Sequence, residues 1–250
     1  MNWLKILVIG LMGLIVGEMM RRRLNELTYR LAPSEEVDGT IPASGDGDET
    51  ARTPENEKAR TPEDEDETLL PSPGSRWWIP AIVAIAWGFI AWRCPLGVVP
   101  DQRDVTGWAR LLGWLTFSAV GLAMAVIDLD VRRLPDRGQI LLAGASLIFG
   151  VLAMWEDPIR LAYGLGAALA CGLAFLLIHV LSRGGLGLGD VKLVMTCGWW
   201  LGLISLTSVF AGLMVSCILA VAYSLLARQR QFAFGPWLIA GTVIAGLCLR

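Results

Sequence analysis

The sequence predicts an all-α polytopic membrane protein of about eight transmembrane helices. Three observations carry that prediction. Apolar residues make up 54% of the 250 residues, with a mean hydropathy of +0.55. That percentage alone would fit a soluble domain, but its distribution would not. Of the 23 acidic residues, 13 fall within residues 35–67. What remains is a series of apolar runs near the roughly 20 residues that a helix needs to cross a bilayer. The third observation is the placement of Lys and Arg, counted below.

The first span covers residues 3–20. Arg21-Arg22-Arg23 follows its apolar run, only Lys5 precedes it, and no A-x-A-like site appears. It reads as an uncleaved anchor with its N-terminus outside rather than as a secretory signal. Residues 1–33 form this anchor and its basic flank. Residues 34–75 are acidic, rich in Pro, Gly, Thr and Ser, and carry a near-repeat, ARTPENEK from Ala51 and ARTPEDED from Ala59. Such a segment buries too little apolar surface to offset its ordering entropy, so a disordered linker is expected there. It is either an insertion tolerated in a loop or a docking tail. Residues 76–250 hold seven more spans, at about 77–92, 108–127, 139–155, 161–181, 191–203, 205–226 and 232–249. The span at 191–203 is short and Gly-rich, which predicts tilt or burial by neighbouring helices.

With the N-terminus outside, the inner segments carry 15 of the 21 Lys and Arg residues and the outer segments 6. Reversing the topology inverts that bias, so the eight-span model places the acidic linker in the cytoplasm. The eleven Trp residues cluster near span ends, as at Trp77-Trp78 and Trp199-Trp200, where an interfacial belt accounts for them.

Other chemistries are disfavoured by composition. A net charge of -2, without a basic stripe carrying interleaved aromatics, gives no sign of a nucleic-acid partner. The five cysteines include no CxxC pair, so neither a disulfide framework nor a zinc site is expected. A single histidine, His179, leaves little room for Ser-His-Asp, Cys-His or multi-histidine metal chemistry.

Two acidic motifs remain, and carboxylates at membrane boundaries are expensive enough to imply a task. One closes the third span, Asp128-Leu129-Asp130-Val131-Arg132-Arg133-Leu134-Pro135-Asp136. The other follows the fifth, Gly184-Gly185-Leu186-Gly187-Leu188-Gly189-Asp190-Val191-Lys192. Two spans lie between them, so both fall on one face, the cytoplasmic one. A carboxylate pair hydrolyses a peptide without metal or histidine. One member, ionised, takes a proton from water while the other, protonated, donates to the carbonyl oxygen; like charges in proximity share one proton. The glycines are expected to let the backbone turn tightly and a substrate strand approach. Lys192 is a candidate to orient substrate or support Asp190, although positive-inside anchoring explains it equally well. Asp130, Asp136, Arg132, Arg133 and Arg137 read as a solvated inner loop, and His179 as a structural histidine.

Gly187-Leu188-Gly189-Asp190 resembles the GxGD motif of the GxGD aspartyl proteases. Together with Asp128 ahead of Leu134-Pro135-Asp136, it resembles the type IV prepilin peptidases. In that family the first aspartate lies seven residues before the proline, which selects Asp128 over Asp130; the second is Asp190. Leu24-Asn25 and Tyr29-Arg30-Leu31 resemble the segment after the family's first span. The resemblance implies cleavage of a leader from type IV prepilin or pseudopilin-like substrates, at the cytoplasmic face of a bacterial inner membrane. It implies no cofactor for proteolysis, with S-adenosylmethionine if the family's N-methyltransferase activity is retained. Two departures matter. Arg21-Arg22-Arg23 stands where many relatives have glycine and serine, and the acidic stretch stands in place of their CxxC zinc-binding domain. Two rivals stay open. A proton-coupled transporter would use the aspartates at midplane, whereas a non-catalytic assembly factor would use the acidic linker.

Overall fold

A computed structural model describes residues 3–26, 76–94, 102–131, 134–182, 186–227 and 233–248. The acidic linker, Tyr29-Arg30-Leu31, Gly184 and Gly185 lie outside them. The described residues form eight α-helices: α1 Trp3–Asn25, α2 Ile79–Arg93, α3 Gln102–Val131, α4 Asp136–Ala153, α5 Pro158–Leu181, α6 Leu188–Gly202, α7 Leu206–Ala227 and α8 Gly235–Cys248. Each corresponds to one span expected from the sequence. Five are long and apolar enough to cross a bilayer, α1, α3, α4, α5 and α7, and α2 and α8 are shorter apolar helices.

Exposed apolar faces make the environment plain. On α5, Leu165, Leu169, Leu173, Leu176 and Val180 are all exposed. Rows of large aliphatic side chains like this one match a hydrocarbon surround and not water. The chain is an all-helical polytopic membrane protein.

Helix α6 is the exception that organises the rest. At 15 residues and 1.5 Å per residue it reaches about 22 Å, short of a bilayer core of about 30 Å. Ten of its residues are buried, because α4, α5, α7 and α8 all pack around it. Trp199 and Trp200 therefore belong to the core and not to an interfacial belt. Trp199 donates its indole N–H to the Ser146 carbonyl at 2.9 Å. Trp200 lies 5.0 Å from Trp114 between ring centroids, and Phe117 stands edge-on to both. Trp77 and Trp155 stay exposed, as a belt requires.

Small residues bring the backbones together. Across α1 and α2, a β-carbon on Gly17 would stand 2.6 Å from the Pro80 Cα, a backbone atom that cannot move aside cheaply. Across α5 and α6, one on Gly202 would meet the Tyr163 carbonyl at 2.8 Å. This is the small-residue packing that associates helices where lipid removes the hydrophobic drive. Gly17→Val is accordingly expected to lower stability by about 1–3 kcal/mol through overpacking. A thermal melt of the detergent-solubilised protein measures it.

Helix boundaries differ from expectation where the site lies. Helix α3 runs on through Asp128 and Asp130 to Val131, since no breaker intervenes before Pro135. Helix α6 begins at Leu188, so Asp190 sits in its first turn and not in the preceding loop. Helix α1 continues through Arg21, Arg22 and Arg23, where Glu18 accepts from Arg21 and Arg22 at 2.6 and 2.9 Å, at helical spacing.

Candidate active site

Helices α3 and α6 touch through Trp114 and Trp200. From there Asp128 lies about 20 Å further along α3, and Asp190 lies about 15 Å back along α6. Asp128 is nevertheless within electrostatic reach of Asp190. The two helices are thus antiparallel, and both carboxylates arrive at one end of the bundle. Asp128 is only 5% exposed. Its Oδ2 and the Oδ1 of Asp190 are buried with no hydrogen-bond partner in the protein. Burying a carboxylate without full partners is costly, so this arrangement is not what packing alone would select.

Backbone surrounds the pair. Helix α8 starts at Gly235, and a β-carbon there would meet Asp128 Oδ2 at 2.7 Å. Only a glycine lets the first turn of α8 lie against this carboxylate. Asp190 occupies the first turn of its own helix. Each carboxylate therefore faces a helix N-terminus, whose free N–H groups carry partial positive charge.

The two motif glycines have unlike roles. Gly187 has φ -66 and ψ 142, an extended conformation open to any residue. The tight-turn reason expected from sequence does not apply to it, and its carbonyl accepts the Asp190 N–H at 3.1 Å to open α6. Gly189 sits at a close approach: a β-carbon would stand 3.0 Å from Gln139 Nε2 and 3.2 Å from Leu134 Cβ, so both neighbours would have to give way. Leu134 also lies against Gly235, so one leucine joins the approaches to both aspartates.

Lys192 reaches Asp136 at 2.6 Å, and both side chains are exposed. It ties α6 to the first turn of α4 beside the two aspartates; an exposed pair of this kind is worth at most about 1 kcal/mol. Asp130 departs from the solvated loop expected of it. Its side chain is 12% exposed and meets Arg76 at 3.3 Å, and Arg76 also donates to the Leu24 carbonyl at 2.6 Å. That arginine fastens the ends of α1 and α3 together. His179, half-buried at the end of α5, bonds through Nδ1 to the Leu186 carbonyl. A carbonyl can only accept, so Nδ1 carries the proton, and the histidine holds Leu186, next to Gly187. Among the described residues no three His, Cys, Asp or Glu side chains gather as a metal site would need.

Sequence reasoning missed Gly235, Gln139 and Arg76. Gly235 was within reach: Phe234-Gly235-Pro236 places Pro at the start of a helix, but an apolar run reads straight through it. Gln139 and Arg76 carry no local signal, since each is selected by a partner fifty or more residues away.

A polytopic helical bundle that brings a buried Asp128 and a half-buried Asp190 to one end defines a membrane protein with a carboxylate pair. Residues 115–225, which contain both aspartates, match the type IV leader peptidase family. A Neisseria gonorrhoeae protein named prepilin leader peptidase/N-methyltransferase is 30% identical over 173 residues, covering 66% of this chain and 55% of that protein. An Escherichia coli O78:H11 protein named type 4 prepilin-like proteins leader peptide-processing enzyme is 32% identical over 147 residues, covering 55% and 51%. The prepilin leader peptidase/N-methyltransferase of Escherichia coli K12 is 29% identical over 176 residues, covering 66% and 72%. The chain spans about half the length of the first two relatives. No solved structure matches.

Proposed function

We propose that this chain is an intramembrane aspartyl endopeptidase. It removes the leader from type IV prepilin or pseudopilin-like substrates at the cytoplasmic face of the inner membrane. The observation that carries the reading is the pair of carboxylates at one bundle end, Asp128 and Asp190, each with one buried oxygen that has no partner in the protein. The family of residues 115–225 and the names of the relatives support the choice of substrate.

In this mechanism one carboxylate of the pair is ionised and takes a proton from water as the water oxygen attacks the scissile carbonyl carbon. The other is protonated and donates to the carbonyl oxygen. In the second half the tetrahedral adduct collapses, the C–N bond breaks, and the leaving amine takes a proton from the pair. The proton belongs to the dyad, so acid and base are roles of the pair and not fixed to either residue. A prepilin is itself a membrane helix behind a short basic leader, and its scissile bond then lies at the depth of the two aspartates. Methyl transfer, which two of the relatives' names also carry, forms no part of this reading.

The test is cleavage of a co-expressed prepilin-like substrate in membranes, read as a mobility shift. Leader removal supports the proposal; an intact substrate beside correctly inserted protein sinks it and favours an assembly role. Orientation is tested separately. Arg137 is exposed beside the carboxylate end and Glu156 is exposed at the other end. Arg137→Cys is expected to react with an impermeant thiol reagent only after the cytoplasmic face is opened, and Glu156→Cys from outside in intact cells. The opposite labelling would put the aspartates on the wrong face for a basic leader held inside by the positive-inside bias.

A further inference from the structure

Gln139 stands in the first turn of α4, only 5% exposed. A buried amide in an apolar bundle is expensive unless both its ends are engaged. One end is. Its Nε2 donates to the Gly189 carbonyl at 3.2 Å, one residue before Asp190. A carbonyl accepts and never donates, so this contact sets the amide's orientation: nitrogen toward Gly189, oxygen away.

The oxygen has no partner in the protein. It is one of three buried acceptors at this end of the bundle, the others being Asp128 Oδ2 and Asp190 Oδ1. Acceptors cannot serve one another. The shared proton and the attacking water answer the two carboxylates, and the described residues bring no donor to the amide oxygen. A donor that arrives with the substrate completes it. An extended peptide brings backbone N–H groups, spaced along the chain whatever its side chains.

We propose that Gln139 binds substrate. Its nitrogen holds the Gly189 backbone and so positions Asp190, and its oxygen accepts a backbone N–H of the substrate beside the scissile bond. The inference rests on the peptidase reading above. It assigns Gln139 to recognition of main chain, which is independent of the substrate's side chains.

The test uses the full-length protein in detergent and synthetic prepilin peptides. One is the all-amide peptide. In the others a single backbone N–H near the scissile bond is replaced by an ester oxygen. Wild type is expected to lose about 10-fold in kcat/KM on one of the ester peptides, the loss of one good hydrogen bond. Gln139→Met keeps the volume and removes both donor and acceptor. It is expected to cleave the all-amide peptide at least about 10-fold more slowly and to treat that ester peptide like the amide, which is the coupling a direct contact produces. Gln139→Glu keeps an acceptor and loses the donor, so its kcat falls while its KM stays near wild type. A purely structural glutamine would lower thermal stability and leave the ester discrimination intact. Discrimination by Gln139→Met equal to wild type, or none by wild type at any ester position, overturns the inference alone. If the wild type cleaves no peptide and Asp128→Asn and Asp190→Asn behave identically to it, the peptidase reading falls and this inference with it.

Discussion

Asp128→Asn and Asp190→Asn are each expected to abolish leader cleavage, by at least about 1,000-fold, while leaving the protein inserted and folded. An amide can neither take the proton of the attacking water nor share one with its neighbour, and positioned acid–base catalysis contributes about 100- to 10,000-fold. The near-isosteric change also removes a buried charge rather than creating one, so the fold is not the casualty. A double variant is expected to be no worse than either single one, since the pair acts as a unit. Asp130→Asn is the control. It sits two residues from Asp128, but its contact is Arg76, and an asparagine oxygen can still accept from that guanidinium. Substantial activity is therefore retained. The measurement is the cleaved fraction of co-expressed prepilin at matched enzyme levels. An essential Asp130 with a dispensable Asp128 would mean that the wrong carboxylate of α3 had been assigned.

Gly235→Ala is the second large effect. The added carbon would stand 2.7 Å from Asp128 Oδ2, closer than real β-carbons approach an oxygen. Either the carboxylate swings away or α8 shifts at its first turn. A displacement near 1 Å at a reacting group costs about 100-fold in rate, so a loss of roughly 10- to 100-fold in kcat is expected. Thermal stability changes much less, because the helix keeps its packing further along. Gly144→Ala, on an outward-facing position where a β-carbon meets nothing within 4 Å, is the matched control. Wild-type cleavage by Gly235→Ala would mean that Asp128 is free to move and that the start of α8 has no part in holding it.

Much of this was legible because bilayers impose long-wavelength constraints on sequence. Eight apolar runs appear as eight helices, since a chain in lipid has to satisfy its own backbone hydrogen bonds and a helix does so within one segment. The convergence of Asp128 and Asp190 followed from counting spans between two motifs. Alternation of direction at each crossing is a topological fact that needs no knowledge of side-chain contacts. The helix ends were less legible. Asp128 was placed at the close of a span and Asp190 in a loop, yet both lie within helical turns, because hydropathy ends at the first charge whereas hydrogen bonding does not.

The sequence by itself determined the class of architecture, the membrane setting and that Asp128 and Asp190 share one end of the bundle, because each rests on composition along the chain or on motif spacing. Only the tertiary structure decided what surrounds them. Gly235, Gln139 and Arg76 matter through partners more than fifty residues away or on other helices, at distances set by how α3, α4, α6 and α8 pack. The same holds for Trp199 and Trp200, which a linear reading assigns to the interface and the packed bundle draws into its core. A residue's neighbours across a helix bundle are selected by close approach of backbones, and close approach leaves no periodic mark in either sequence alone.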